Sequence, residues 1–236
     1  YFSFQNFLDN LKFPVGFFQA LYNIWRFMPD IIFAKGGYAS FLPALAGKIF
    51  AVPIIIHESD SIPGRVSAVL GKWARKVFLS FEGSKKYFDE SKCEVVGNPI
   101  RRDLLAGGDR STALNAFSLN PAKSAVFITG ASQGAQKINE VLALALVELT
   151  KDFQIIHQSG PKNYDEMNKQ VVSIIKEGKD VFGPQIQSNY RLYPILDRNQ
   201  LALAYAASDV VVSRASSQGF EIASVGKPAI VVPLKN

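Results

Sequence analysis

Cysteine, histidine and long apolar runs are scarce in this chain of 236 residues, and each scarcity excludes a class of protein. The single Cys93 excludes an internal disulfide framework and a cysteine-based metal site, and it is consistent with a reducing compartment. Two histidines, His57 and His157, are too few for a metal centre. No apolar run approaches the roughly 18 to 20 residues that span a bilayer, and no signal peptide opens the chain. We therefore expect a soluble or peripheral protein.

Charged residues are also few, at 19% against 48% hydrophobic residues, which is typical of a folded protein with sizeable cores. The formal net charge is +6, and residues 1–80 hold eight Lys or Arg against four Asp or Glu. This excess favours an anionic partner near the N-terminal third. The short basic pairs at 85–86 and 101–102 lack the arginine-rich, aromatic-interleaved pattern of a nucleic-acid surface, so we predict no nucleic-acid partner.

What the chain does contain is an alternation of short apolar runs with segments of helical spacing. The runs, rich in Val, Ile and Phe, cover residues 30–34, 52–57, 76–81, 93–98, 124–130, 153–160, 209–215 and 228–234. Helical spacing lies between most of them, for example over 62–73 and 136–149. The alternation predicts βαβ units and parallel sheets, in an α/β fold of two Rossmann-like domains with a cleft between them.

One interruption of this alternation predicts where the domains divide. Gly, Asn, Pro, Asp and Ser crowd together in residues 99–122, where no strand pattern appears. We place the interdomain connection there, between a first domain at 1–98 and a second at 123–236. The chain starts without an initiator methionine and stops directly after an apolar run, so we expect truncation at both ends.

The stretch "VFITGASQGAQKIN" has the features of an anion-binding turn. Gly130, Ser132 and Gly134 follow an apolar run and precede a helix that begins near Gln136, so free backbone N–H groups would point at a ligand. The stretch matches neither GxGxxG nor GxxxxGK[ST]. A tight structural turn is the alternative interpretation.

A second glycine turn, "AKGGYAS", lies in the first half. Gly36 and Gly37 permit a positive φ or a close backbone approach, and Lys35 and Tyr38 supply hydrogen-bond donors. A tight turn is again the alternative.

The stretch "IIIHESDSIPGR" places His57, Glu58 and Asp60 at the carboxyl end of a predicted buried strand. Histidine beside a carboxylate could perform acid–base chemistry. Alternatively, Ser59, Asp60 or Ser61 could cap the helix that follows.

Two further side chains could contact a nucleotide. Arg101 follows an Asn-Pro turn, and its planar donor fork suits a diphosphate, although a surface arginine is the commoner explanation. Glu221 lies in a predicted helix opened by Ser216 or Ser217, where it could cap the helix or accept hydrogen bonds from two sugar hydroxyls.

Aromatic residues are concentrated at the N-terminus, where ten of the chain's 28 lie within the first 28 positions. Segment 16–28 carries two apolar stripes, Phe17/Leu21/Ile24/Met28 and Phe18/Tyr22/Trp25. One stripe can pack against the sheet, whereas the sequence suggests no packing partner for the second. With basic residues 12, 26 and 48 beside it, the second stripe could dock on an anionic membrane surface. Core or interdomain packing is the alternative.

Seven motifs, taken in order along the chain, resemble those of the MurG family. They are "MPDIIFAKGGY", "HESDSIPG", "EVVGNPIR", "GASQGAQKIN", "HQSG", "AYAASDVVVSRA" and "EIASVGKPAIVVP". Members of this family are bacterial transferases that move N-acetylglucosamine from UDP to undecaprenyl-diphosphate-linked muramyl-pentapeptide, lipid I, to give lipid II. The resemblance implies a two-domain fold of the glycosyltransferase B type at the cytoplasmic face of the inner membrane, as a peripheral protein.

The resemblance also implies roles for residues of the donor site, in the C-terminal half. Ser132, Gln133 and Gly134 would meet the diphosphate and nucleotide of UDP-N-acetylglucosamine. Arg101 would approach the diphosphate, and Glu221 would hold the ribose hydroxyls. Two departures from the family pattern affect this site: residue 131 is alanine where the family has glycine, and the spacing over 214–221 is one residue shorter.

On the acceptor side, the resemblance implies that Gly36, Gly37 and Tyr38 face the lipid diphosphate. Asp60, also assigned to the acceptor, stands where many members have asparagine. The usual general base, on a glycine-rich loop, is expected upstream of the chain, so His57 and Glu58 are second-choice catalytic candidates and the chain alone is expected to be inactive.

We predict no metal, because no carboxylate pair with metal-ligand spacing stands near the diphosphate loop. We also predict no cofactor, with UDP-N-acetylglucosamine as the substrate. The alternative functions are another glycosyltransferase B enzyme, such as a glycolipid synthase or UDP-sugar epimerase, and a non-catalytic nucleotide-binding scaffold.

Overall fold

The computed structural model describes residues 4–130 and 136–233. The chain divides into two compact units, Tyr1–Pro99 and Ile100–Asn236, here called unit 1 and unit 2. Each unit contains a parallel sheet of its own. The predicted α/β class is confirmed.

Unit 1 contains a four-stranded sheet in the order β1-β2-β3-β4. The strands are β1 (Ile32–Ala34), β2 (Ile54–Glu58), β3 (Lys76–Leu79) and β4 (Cys93–Val95), and the helices are α1 (Phe4–Phe27), α2 (Tyr38–Ile49) and α3 (Arg65–Trp73). Branched apolar side chains suit the pleated strands, and Ile54, Ile56, Val77 and Leu79 form the core with residues of α2 and α3. All four strands end at the same edge because they are parallel.

Unit 2 contains a five-stranded parallel sheet in the order β7-β6-β5-β8-β9. Its strands are β5 (Ala125–Thr129), β6 (Gln154–Gln158), β7 (Tyr190–Tyr193), β8 (Val210–Arg214) and β9 (Ala229–Val232). Its helices are α4 (Arg110–Ala116), α5 (Gln136–Asp152), α6 (Tyr164–Glu177), α7 (Gly183–Asn189), α8 (Arg198–Ala207) and α9 (Gln218–Ser224). Successive strand residues point to opposite faces. Phe127 accordingly packs with residues of α4, α8 and α9, and Ile128 with those of α5, α6 and α7.

The strand order of unit 2 contains a switch point between β5 and β8. From β5 the chain adds β6 and β7 towards one edge of the sheet, then returns to add β8 and β9 on the other side. The connections that leave β5 and β8 therefore diverge and leave a crevice at the carboxyl ends of these strands. Open α/β sheets bind their ligands in this position.

Every predicted apolar run overlaps a strand, but β7 was not predicted. Its four residues include Arg191, so it lacks a continuous apolar run, and it lies at the edge of the sheet beside β6. The predicted interdomain segment 99–122 holds a 3₁₀ helix (Arg102–Ala106) and α4, and its Leu104, Leu114 and Phe117 are buried in unit 2.

The alternative that Ser59, Asp60 or Ser61 caps the following helix is wrong. Helix α3 begins at Arg65, and its N-cap is Gly64, which provides no side-chain cap. Ile62, Pro63 and Gly64 stand between these polar residues and the helix, so none of the three occupies its N-cap position.

Candidate functional site

A cleft of about 430 Å³ lies at the switch-point edge of unit 2. It is lined by Arg101, Gln158, Ile195, Leu196, Leu201, Arg214, Ser216, Ser217, Gln218 and Glu221. Two of these residues, Gln158 and Arg214, are the last residues of β6 and β8. The cleft thus combines an apolar wall with two arginines and one carboxylate.

Arg101 and Glu221, both predicted to bind the donor, form an ion pair in this cleft. Arg101 Nε donates to Glu221 Oε1 at 3.1 Å, and Arg101 Nη2 donates to Oε2 at 3.2 Å, so the guanidinium fork engages both carboxylate oxygens. The side chain of Arg101 is 44% exposed and that of Glu221 20%. Arg101 immediately precedes the 3₁₀ helix anchored by buried Leu104, and Glu221 lies in α9.

The interior wall of the cleft contains a hydrogen bond that the sequence did not suggest. Gln218 Nε2 donates to the hydroxyl of Tyr205 at 2.9 Å, and the Tyr205 ring meets the Phe127 ring edge to face at 5.5 Å. Burial raises the pKa of Tyr205 to about 12, so its hydroxyl stays protonated. Gln218 is 8% exposed, and its Oε1 is buried without a hydrogen-bond partner in the described structure.

Arg214 is a second cleft residue that sequence reasoning missed as a candidate. It follows the apolar run of β8 and lines the cleft, and its Nε is buried without a hydrogen-bond partner among the described residues. Its position at the carboxyl end of β8, beside the switch point, was the available signal, since such strand ends carry ligand-binding side chains.

Three residues of the predicted diphosphate loop, Ser132, Gln133 and Gly134, lie outside the described residues. The described flanks are Thr129, the buried last residue of β5, and Gln136, the first residue of α5.

In unit 1, the glycine turn leads directly into α2. Gly36 and Gly37 have φ values of 77° and 76°, which side chains with a Cβ rarely adopt. Gly37 is the N-cap of α2, and Tyr38, its first residue, is 88% exposed. Lys35 Nζ donates to Asn98 Oδ1 at 3.4 Å, so this turn contacts the segment that follows β4.

His57 is buried at the carboxyl end of β2, with 2% of its surface exposed. Its Nε2 lies 2.8 Å from Gly97 O. A carbonyl oxygen can only accept, so Nε2 is the donor in this hydrogen bond. Ser59 Oγ lies 3.4 Å from Nδ1 and donates to Asn98 Oδ1 at 3.3 Å. His57 and Ser59 thereby attach β2 to the turn after β4.

Glu58 and Asp60 differ in burial and are joined by one hydrogen bond. Glu58 is buried, its Oε1 accepts from Asp60 N at 2.9 Å, and its Oε2 has no hydrogen-bond partner in the described structure. Asp60 is exposed, and its carbonyl accepts from Ser84 Oγ at 3.1 Å. The described structure shows no hydrogen bond or ion pair between His57 and either carboxylate.

The predicted membrane stripe lies on an exposed face of α1. Phe18, Tyr22 and Trp25 are 68%, 53% and 60% exposed, and Arg26 Nη1 donates to the Tyr22 hydroxyl at 3.1 Å. Among the helices described, none is both long and apolar enough to cross a bilayer. The described ranges also contain no cluster of three or more His, Cys, Asp or Glu side chains that could hold a metal ion.

The chain matches two domain models of one family. The glycosyltransferase family 28 N-terminal domain matches residues 1–79, and the glycosyltransferase family 28 C-terminal domain matches residues 125–236. Together the two models cover most of both units, in chain order.

Curated relatives match the chain over its full length. It is 34% identical to the UDP-N-acetylglucosamine--N-acetylmuramyl-(pentapeptide) pyrophosphoryl-undecaprenol N-acetylglucosamine transferase of Treponema denticola, with 100% of this chain and 59% of the relative covered. The identity to the transferase of the same name from Legionella pneumophila is also 34%, with 100% and 61% covered. The chain thus spans about 60% of the length of the curated relatives it matches.

Solved structures resemble the fold. Acinetobacter baumannii MurG has a TM-score of 0.63 at 24% identity, covering 92% of this chain and 57% of that one. UDP-GlcNAc 2-epimerase from Neisseria meningitidis, bound to UDP-GlcNAc, has a TM-score of 0.66 at 16% identity, covering 92% and 62%. At these identities the likeness shows the two-domain α/β fold of the glycosyltransferase B type and no more. The two domain models and the full-length similarity to named transferases show that the chain belongs to glycosyltransferase family 28.

Proposed function

We propose that this chain carries the donor and acceptor framework of an inverting transferase that moves N-acetylglucosamine from UDP-N-acetylglucosamine to lipid I, giving lipid II. The observation that carries the proposal is 34% identity over the full chain to transferases of that name. The cleft at the switch point of unit 2 supports it, because its groups match the chemistry of a nucleoside diphosphate.

In the donor cleft, Arg101 binds the diphosphate and Glu221 accepts hydrogen bonds from the ribose hydroxyls. A guanidinium presents paired N–H donors to phosphate oxygens, and a carboxylate offers two acceptors to neighbouring hydroxyls. Leu196 and Leu201 provide apolar surface for the base. When the sugar is transferred, negative charge develops on the departing UDP, and Arg101 stabilises that charge. Residues 132–134 form the rest of the diphosphate site in this proposal.

On the acceptor side, the turn at Gly36 and Gly37 receives the lipid diphosphate. At these positive φ values the glycines present backbone without a Cβ, and exposed Tyr38, the next residue, offers a donor. Exposed Asp60, two residues after the neighbouring strand β2, offers an acceptor. Lys35 adds positive charge at the same edge of the sheet.

An inverting transfer also needs a base that removes the proton from the attacking hydroxyl. His57 and Glu58 remain second-choice candidates. The contacts of His57 favour a positioning role, because its Nε2 proton is bonded to Gly97 O and its Nδ1 faces Ser59. Glu58 Oε2 has no hydrogen-bond partner among the described residues, but it is buried.

We further propose that the exposed α1 face, formed by Phe18, Tyr22 and Trp25, docks on anionic lipid at the cytoplasmic face of the inner membrane. Residues 13–28 contain no Asp or Glu, and Arg26 lies beside Tyr22. Aromatic side chains next to a cation suit the interface of an anionic bilayer.

The proposal is tested by measuring transfer of radiolabelled N-acetylglucosamine from its UDP conjugate to a lipid I analogue by the protein that carries this chain. Arg101→Ala should weaken UDP binding and transfer, whereas Arg198→Ala should change neither, because Arg198 is a 76% exposed arginine that does not line the cleft. Absence of transfer with intact UDP binding would refute the transferase activity.

An epimerase is the second candidate, and its support is the fold likeness to UDP-GlcNAc 2-epimerase. An epimerase acts on the nucleotide sugar without a lipid acceptor. Conversion of UDP-N-acetylglucosamine in a reaction without lipid would therefore favour it over the transferase.

A further inference from the structure

The ion pair between Arg101 and Glu221 bears on which ligands the cleft accepts. Nε and Nη2 of Arg101 each hold one oxygen of Glu221, at 3.1 and 3.2 Å. A pair of vicinal hydroxyls that binds a carboxylate through both oxygens uses the same edge of the carboxylate as a guanidinium fork. The arginine and a ribose therefore compete for Glu221.

Separating this pair leaves two charged groups that each need a new partner. The Glu221 side chain is only 20% exposed, so water can replace the lost hydrogen bonds only in part. Arg101, 44% exposed, would lose its counter-ion. A ligand that brings only an anion satisfies Arg101 and leaves the carboxylate unpaired beside that anion. A ligand that brings only a diol leaves the guanidinium without its carboxylate.

We propose that the Arg101–Glu221 ion pair is a specificity device that opens for ligands carrying an anion and a vicinal diol together, such as a nucleoside diphosphate. This inference rests on the proposed function. One such ligand supplies the phosphate that replaces Glu221 at Arg101 and the hydroxyls that replace Arg101 at Glu221. Inorganic pyrophosphate replaces only the partner of Arg101, and a free nucleoside replaces only the partner of Glu221. Either ligand must break the ion pair and leave the other residue without a new partner.

The test measures UDP, uridine and pyrophosphate binding to the purified chain by ligand-observed NMR, with circular dichroism to confirm that each variant is folded. Arg101→Met frees Glu221, so it should bind uridine about twofold to fivefold more tightly, which is the range for a partly exposed ion pair. Uridine is neutral, so this gain cannot come from a changed long-range field. Glu221→Gln should bind pyrophosphate more tightly by a similar factor.

The control for the pyrophosphate measurement is Glu148→Gln. Glu148 pairs with Lys151 on α5 at 2.8 Å, and both side chains are more than half exposed outside the cleft. Its loss removes one negative charge from the same unit without freeing a cleft arginine. Glu221→Gln should therefore exceed this control in its effect on pyrophosphate.

The outcomes separate this inference from the proposed function. Suppose that the wild type binds UDP, but Arg101→Met binds uridine no more tightly than the wild type does. Arg101 then orients Glu221 instead of competing with the ribose for it. The inference is then refuted while the donor site stands. If the wild type does not bind UDP, both fail. Tighter uridine binding by Arg101→Met together with weaker UDP binding supports both.

Discussion

The turn that opens α2 provides a quantitative test of how unit 1 is packed. Gly36 and Gly37 have nearly equal positive φ values, 77° and 76°, but different surroundings. A Cβ on Gly36 would lie 2.5 Å from Ser67 Oγ, so the serine side chain would have to move, whereas a Cβ on Gly37 would meet no atom of the described residues within 4 Å. Alanine at Gly37 therefore introduces backbone strain alone, and alanine at Gly36 introduces strain and a steric overlap.

The expected losses in the free energy of unfolding follow from the backbone strain and the steric overlap. Gly37 has a ψ of 163°, in a region that only glycine populates readily, so Gly37→Ala should destabilise unit 1 by about 1–3 kcal/mol. For Gly36→Ala, left-handed strain of about 1–2 kcal/mol adds to the cost of displacing Ser67 Oγ, the rotatable end of a buried side chain, which is about 0.5–1.5 kcal/mol. Ser67→Ala in the Gly36→Ala background should recover the stability lost to the steric overlap. The nearest remaining atom of residue 67, Cβ, lies 3.9 Å from the new Cβ, which is an ordinary contact.

Urea unfolding followed by tryptophan fluorescence measures the free energy of unfolding of these variants. Both tryptophans of the chain, Trp25 and Trp73, belong to unit 1, so the signal reports on the unit that contains the turn. The reasoning is refuted if Ser67→Ala restores no stability to Gly36→Ala, or if it restores the same stability to Gly37→Ala.

Three further perturbations have defined outcomes. Phe18→Asp should reduce co-sedimentation with anionic vesicles, while Val181→Asp, at an 84% exposed apolar position of unit 2, should not; equal losses would contradict docking through α1. Burial lowers the pKa of His157 from 6.5 to about 3, so only the unfolded chain gains this proton between those values. The contribution of neutral His157 to the free energy of unfolding is fully present above pH 6.5. It should decrease by about 1.4 kcal/mol per pH unit as the pH falls from 6.5 towards 3. His157→Gln, followed by circular dichroism, should flatten this slope, and an unchanged slope would assign it to other groups. Asp197→Ala removes the capping box of α8 and should lower the free energy of unfolding, measured with urea, by about 1 kcal/mol. An unchanged free energy of unfolding would show that the cap is dispensable.

Much of the fold was predictable because its patterns are local. The run Ile54 to Ile56 and the run Val210 to Val212 became buried or partly buried strands, as expected for parallel sheets covered on both faces. Strand β7 was not predictable from its own residues. It contains Arg191 and pairs with β6 alone, so its strand conformation depends on the neighbouring strand rather than on an apolar run.

The candidate site was predictable in part. Arg101, Glu221 and the turn at Gly36 were identified from motifs, and the structure places the first two in one cleft. Gln218, the first residue of α9, was missed because a polar side chain at that position has no distinctive pattern. Arg214, the last residue of β8, was missed although its position at a strand end was a signal. That Gln218 bonds the hydroxyl of Tyr205 depends on how α8 and α9 pack.

The sequence by itself determined the α/β class, the alternation of strands and helices and the two halves of the chain, because apolar periodicity and turn residues act over a few neighbouring positions. Only the tertiary structure decided that Arg101 engages Glu221, a residue 120 positions further along the chain. The order β7-β6-β5-β8-β9 creates the switch point at which these side chains meet. That order is set by the packing of whole elements on the sheet, which no short stretch of residues specifies.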